Sequence, residues 1–211
     1  MRKAIVLCAV AALTGSASAA LTIYTDRAAW EAAVGGGIFT EDFNSLAPQI
    51  IGDGSTLDTG LLQITRDGSP NGGDGLLEIE PGANFGNIDG TTFISGETGE
   101  TPHERVDIEF NGQAIFAFGA DWFSPFSGDG IALEVGGELI LLDSISGFDT
   151  GFVGFVSDSD TFTQISIVGN PADITFQELW SADNFSYAIP GPAAFALLGV
   201  GCLLSGGRRR R

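Results

Sequence analysis

From Ile38 to Tyr187 apolar side chains recur at alternate positions, and Gly, Asp, Asn, Ser or Pro interrupts them at intervals of about 8–12 residues. A chain patterned this way has one apolar face per short strand and must bury it against a second sheet. The expectation is an all-β fold, an antiparallel β-sandwich or barrel. Glycine supplies much of the turn chemistry, at 31 of 211 residues. Strands are predicted over 21–24, 38–43, 61–66, 76–80, 91–95, 105–110, 114–122, 131–135, 138–142, 152–156, 162–168, 174–176 and 184–187. Within 114–122, Phe116, Phe118, Ala120 and Trp122 are expected to share the core face. One short N-terminal helix is predicted: Asp26 is its N-cap, Arg27–Val34 its body, and Gly35-Gly36-Gly37 its stop.

The two ends are written differently. Met1-Arg2-Lys3, the apolar run 4–13 and the small residues that follow form an N-terminal signal peptide over 1–19, with Ala17 and Ala19 as the A-x-A cleavage residues. At the other end, 189–211 contains Pro190-Gly191-Pro192, an apolar stretch 193–207, and Arg208, Arg209, Arg210 and Arg211. As a C-terminal hydrophobic helix the stretch is about 22 Å long, short for a hydrocarbon core of about 30 Å. The arginines stay on the cytoplasmic side of such a transmembrane helix. Between these ends, 20–188 reads as one extracellular domain. Cys8 and Cys202 both lie in the end segments, so no disulfide holds the domain together.

Charge narrows the partners. All 27 acidic residues fall in 20–188, against Arg27, Arg66 and Arg105 and no lysine, a formal −24. That field repels phosphate backbones and anionic lipid, which excludes nucleic-acid and polybasic membrane roles, and it attracts cations.

Motifs for covalent catalysis are missing. His103 is the sole histidine, no Gly-x-Ser-x-Gly elbow accompanies it, and the domain has neither cysteine nor lysine nucleophile. No catalytic residue is assigned, and the chain is expected not to be an enzyme. Calcium is the better-motivated ligand. Asp67, Ser69, Asn71 and Glu78 stand at positions 1, 3, 5 and 12 of a loop with Gly72 at position 6, the spacing of an EF-hand. The alternative is a plain Gly/Asn/Asp hairpin loop. For sugar binding, Asp121-Trp-Phe-Ser-Pro-Phe-Ser-Gly-Asp129 offers aromatic planes beside hydroxyl and carboxylate partners. Trp122 continues the core face, so Phe123 and Phe126 are the platform candidates, and Trp180 is a third.

The C-terminal arrangement of Pro190-Gly191-Pro192, apolar helix and arginine tail resembles the PEP-CTERM sorting signal, with Gly where that family has Glu. The resemblance implies an exosortase-like processing enzyme and delivery to the cell surface of a bacterium that makes exopolysaccharide. Tyr24-Thr-Asp-Arg-Ala-Ala-Trp30, Thr40-Glu-Asp-Phe-Asn44, Ala117-Phe-Gly-Ala-Asp121, Gly151–Asp158 and Asp183-Asn-Phe-Ser-Tyr187 resemble a recurrent group of PEP-CTERM proteins. That group looks like jelly-roll sandwiches of the carbohydrate-binding-module kind. In such modules an acid near the first core strand and an Asp of the last strand often share a structural calcium. Glu41, Asp42 and Asn44 resemble the first group and Asp183 the second; the alternative is that Asp183 caps a strand end through backbone hydrogen bonds. The expected function is an exported, non-catalytic surface or matrix module that binds or organises extracellular polysaccharide, assisted by calcium. A structural or adhesive matrix protein without sugar specificity is one alternative, a glycan hydrolase the other.

Overall fold

The computed structural model describes residues 20–67, 77–98, 105–126, 130–172 and 178–191. In chain order these form β1 (Leu21–Tyr24), α1 (Arg27–Val34), β2 (Ile38–Glu41), β3 (Gln49–Ile50), β4 (Thr56–Asp58), β5 (Gln63–Asp67) and β6 (Leu77–Glu80). They continue with β7 (Phe93–Thr98), β8 (Arg105–Glu109), β9 (Ala117–Ser124), β10 (Ile131–Val135), β11 (Glu138–Leu141), β12 (Asp149–Ser157), β13 (Gln164–Gly169) and β14 (Glu178–Ala188). Eight strands make one sheet in the order β1-β12-β9-β14-β7-β6-β3, with β2 also beside β14. Six make the other, in the order β11-β10-β13-β8-β5-β4. The two sheets form an all-β sandwich, and alternation explains its core: Phe118, Trp122, Trp180 and Phe185 of the first sheet meet Ile64, Ile108, Leu133 and Ile167 of the second. Each fully buried large apolar side chain contributes about 1.5–3 kcal/mol, the main source of stability available to a domain without cysteines.

Helix α1 has the predicted bounds and caps. Asp26 Oδ1 accepts the Ala29 N–H at 2.8 Å, and Gly35 closes the helix in the left-handed conformation (φ +76°). Its one buried residue, Trp30, covers a small second core outside the sandwich with Ala117, Phe152, Val156 and Ala188. The helix therefore lies on the outer face of the eight-stranded sheet.

Three local features differ from the sequence expectation. The short strands β3 and β4 carry too few residues for a period to show. Phe116 does not share the face of Phe118; an isolated bridge between Ile115 and Phe162 precedes β9, and Phe116 packs with the Trp30 group. The strand predicted at 184–187 is the second half of an eleven-residue strand that begins at Glu178. The strand predicted over 174–176 lies outside the described residues.

That long strand organises the sheet. Along Glu178–Ala182 its neighbour is β7, and along Phe185–Ala188 it is β2. On its other side β9 pairs with Ser181–Asp183 and again with Ser186–Ala188, with a register shift between the two stretches. The shift is a β-bulge, and Asn184 sits there at φ +53°. Strict alternation from Trp180 and Ala182 would turn Asn184 and Ser186 inward. The extra residue places Phe185 and Tyr187 in the core instead.

Candidate functional site

The outer face of the eight-stranded sheet is covered by α1 at one end and by the loop 81–92 at the other. The loop is pinned at its base, because a Cβ on Gly82 would lie 2.1 Å from the Gly90 carbonyl oxygen. Its middle presses on β14: Gly86, at φ +88°, leaves only 2.6 Å between a hypothetical Cβ and Ser181 Oγ. Only glycine satisfies both the conformation and the space. The neighbouring Phe85 is thereby forced outward, 69% exposed, with its ring edge-on to Phe123 at 5.4 Å and to Phe148 at 6.4 Å. Phe148 is itself 72% exposed and adopts φ +61°, a strained conformation for an aromatic residue. The Phe148 N–H is held by the Ser124 carbonyl at 2.8 Å.

Beneath the loop runs a groove of about 530 Å³. Its aromatic wall is Phe85 and Phe123, and the strands opposite contribute Glu78, Glu80, Ser95 and Ser181. Glu80 is oriented from two sides. It accepts a short hydrogen bond from the Ser95 hydroxyl and another from Asn84 Nδ2 at 2.8 Å, which ties loop to sheet. Glu78 occupies the same face of β6, two residues earlier. Aromatic planes beside fixed carboxylate and hydroxyl groups are a surface suited to a ligand with one apolar face and many hydroxyls.

A second polar cluster lies where the neighbour of β14 changes from β7 to β2. Asp183 and Asp121 are direct cross-strand partners. Like charges so placed repel, and each is treated differently. Asp121 is neutralised: Arg27 reaches it at 2.9 Å, and Asn184 Nδ2 donates to it at 3.1 Å. Arg27 also donates to Ser186 Oγ and the Asn184 carbonyl, and its guanidinium lies 4.7 Å from the Phe152 ring centre. Asp183 is fully buried and has no cationic partner among the described residues. It accepts the Asn184 N–H at 2.6 Å, and Thr91 Oγ1 lies 3.1 Å from its Oδ2. Thr91 has one hydroxyl hydrogen, and its closer acceptor is Asp89 Oδ1 at 2.6 Å. A proton on Asp183 Oδ2 donating back to Thr91 satisfies all three groups. Burial first, then the charges of Asp89 and Asp121, push the Asp183 carboxyl up to about 7. Asp89 moves the other way, held below the usual range chiefly by the Thr91 hydroxyl. Arg27→Met is expected to cost about 2 kcal/mol in urea denaturation at neutral pH, since it leaves Asp121 uncompensated opposite Asp183.

The residues singled out from sequence fall in several places. Glu41, Asp42 and Asn44 come close to the Asp183 region but are engaged locally. Glu41 Oε1 accepts the Phe43 N–H and Asp42 Oδ1 the Asn44 N–H, while Asn44 Oδ1 accepts the N–H of Thr92, next to Thr91. No group of three or more acidic, histidine or cysteine side chains among the described residues is placed to hold a metal ion. Asp67 ends β5 in one sheet and Glu78 lies in β6 of the other; Ser69 and Asn71 lie outside the described residues. Phe123 and Trp180 both line the groove, Trp180 from a nearly buried position (1% exposed) against Trp122, and Phe126 is 55% exposed nearby. Pro190 and Gly191 follow β14, and Ala17, Ala19, Pro192 and Arg208–Arg211 lie outside the described residues. Sequence reasoning missed Phe85, Phe148, Glu80, Asp89 and Thr91. The available signal was Phe85 itself, a large aromatic within the turn-forming run Gly82-Ala-Asn-Phe-Gly-Asn87, where turn chemistry gives no reason for one. Comparison with known protein families, with curated proteins and with solved structures finds no match, so the site's own geometry has to carry the functional reading.

Proposed function

We propose that the chain is an exported, non-catalytic surface module of jelly-roll type that binds extracellular polysaccharide in the groove under the 81–92 loop. The observation that carries this reading is the exposed pair Phe85 and Phe148, stacked through their edges beside a groove floored with carboxylate and hydroxyl groups. Large exposed aromatics held rigidly together mark interaction surfaces, because leaving them in water is costly. Export rests on the residue patterns of 1–19 and 189–211, and intact mass of the protein recovered from the medium tests it: the chain should begin at Ala20.

Affinity electrophoresis against a panel of soluble polysaccharides tests the binding. Phe85→Ala and Phe148→Ala are each expected to weaken retention about tenfold, the equivalent of about 1.4 kcal/mol, with an unchanged melting temperature because both side chains are exposed. Retention by no polysaccharide, or retention indifferent to both substitutions, refutes the reading. Calcium enters as a cation replacing the proton on Asp183, beside Asp89. Calcium should then raise the melting temperature of the wild type and not of Asp183→Asn. A wild-type melt unchanged between EDTA and millimolar calcium removes calcium from the proposal.

A further inference from the structure

Resting on that reading, we infer that the groove selects polysaccharides carrying free amino sugars, that is, de-N-acetylated hexosamine units, over neutral and acidic ones. Glu78 and Glu80 both face the groove from β6, and Glu97 of β7 adds a third carboxylate to its lining. Among the described residues no cation stands against Glu78 or Glu80. The three arginines of 20–188 are each committed to acids elsewhere: Arg27 to Asp121 at 2.9 Å, Arg66 to Asp53 at 3.0 Å, and Arg105 to Asp107 at 2.7 Å and Glu134 at 3.3 Å. Among the described residues the lining therefore contains no cationic side chain to pair with a uronate, sulfate or phosphate group. A polymer bearing such groups would bring its charge beside Glu78 and Glu80 within a domain already at −24, at contact distances shorter than the screening length of about 8 Å at physiological salt.

A neutral glycan escapes the repulsion and gains stacking, yet its hydroxyls exchange water for carboxylate hydrogen bonds with little net benefit. A hexosamine ammonium keeps the same ring face for Phe85 and adds a charged donor. Charge-assisted hydrogen bonds to carboxylate are roughly twice as strong as neutral ones. Glu80 is oriented by Ser95 and Asn84, so its remaining lone pairs are aimed before a ligand arrives. Glu78, with no hydrogen bond or ion pair among the described residues, is the stronger candidate for the ammonium contact.

The experiment uses short oligosaccharides of β-linked glucosamine, the same oligosaccharides fully N-acetylated, and oligogalacturonate of equal length, each titrated calorimetrically into the full domain at low and at high salt. The free-amino form should bind at least tenfold more tightly than the N-acetylated form, with an advantage that shrinks as salt rises, and oligogalacturonate should not bind. Glu78→Gln should remove most of that advantage. Glu109→Gln, at the exposed C-terminal end of β8 in the opposite sheet, should leave it intact. Equal affinity for the amino and N-acetylated forms, both lost with Phe85→Ala, overturns the amino-sugar inference and leaves polysaccharide binding standing. An equal loss with Glu109→Gln means diffuse surface attraction and also overturns it. If no oligosaccharide binds and no polysaccharide is retained, both readings fall.

Discussion

Asp183→Asn is expected to raise the melting temperature at about pH 8.5 by some 5–15 °C and to change it little near pH 4, in the absence of calcium. The folded carboxyl titrates at about 7, against an ordinary value of 3.8. Between those values the folded chain holds a proton that the unfolded chain has released. The stability this group contributes is therefore fully present below about pH 3.8 and is lost as pH rises through about 7. A gap of about three units corresponds to a ceiling of about 4 kcal/mol at 1.36 kcal/mol per unit, and 1 kcal/mol moves the melting temperature of a domain this size by about 2–4 °C. Asparagine reproduces the protonated acid. Its carbonyl accepts the Asn184 N–H, and its amide donates to Thr91, which keeps its own hydrogen for Asp89. The check is the difference between variant and wild type, measured by thermal denaturation across pH in EDTA. A variant less stable than wild type at every pH would show that Asp183 is ionised and well satisfied in the folded chain.

Trp30→Ala should cost about 3–5 kcal/mol, the largest single loss expected outside the inter-sheet core. Trp30 is fully buried, its ring meets Phe152 at 5.7 Å, and Nε1 donates to the Phe155 carbonyl at 3.0 Å. Its removal empties the main apolar anchor of α1, leaving Val34 as a partly buried contact, and loosens the hold of Arg27 on Asp121. Trp30→Phe should recover part of the packing while leaving the Phe155 carbonyl without that donor, so its loss is expected to fall about midway. Urea denaturation of the two variants checks both values. A loss below about 1 kcal/mol for Trp30→Ala would mean that the helix is an appendage and contributes little to the sheet beneath it.

How much of this was legible in residues alone depended on how local the cause is. The helix was readable because Asp26, Trp30 and Gly35 act within three turns of chain. The core face of β9 was readable from Phe118 onward because alternation is a property of consecutive residues. Phe116 was misplaced because the bridge at Ile115 breaks the phase, and a break leaves no trace in composition. The same holds at Asn184, where one extra residue decides whether Phe185 and Tyr187 or Asn184 and Ser186 turn inward. The groove was hardest to see. It needs the 81–92 loop to fold across β14 and meet residues about a hundred positions away, and the evidence for that contact lies in the space above Ser181, which no local pattern records. Trp180, the third platform candidate, does line the groove, but its ring packs over Gly96 on β7 and little of it is exposed, a close approach that no local pattern records.

The placement of β14 also sets the order of events as the chain acquires its structure. This strand lies between β9 on one side and β7 and β2 on the other, and it is the last strand among the described residues. A chain emerging amino-terminus first, from a ribosome or from a membrane channel, holds β2, β7 and β9 ready but cannot join them until residue 188 is out. Three of the seven strand pairings described in the eight-stranded sheet thus wait for residues 178–188, and long-range closure of this kind is slow.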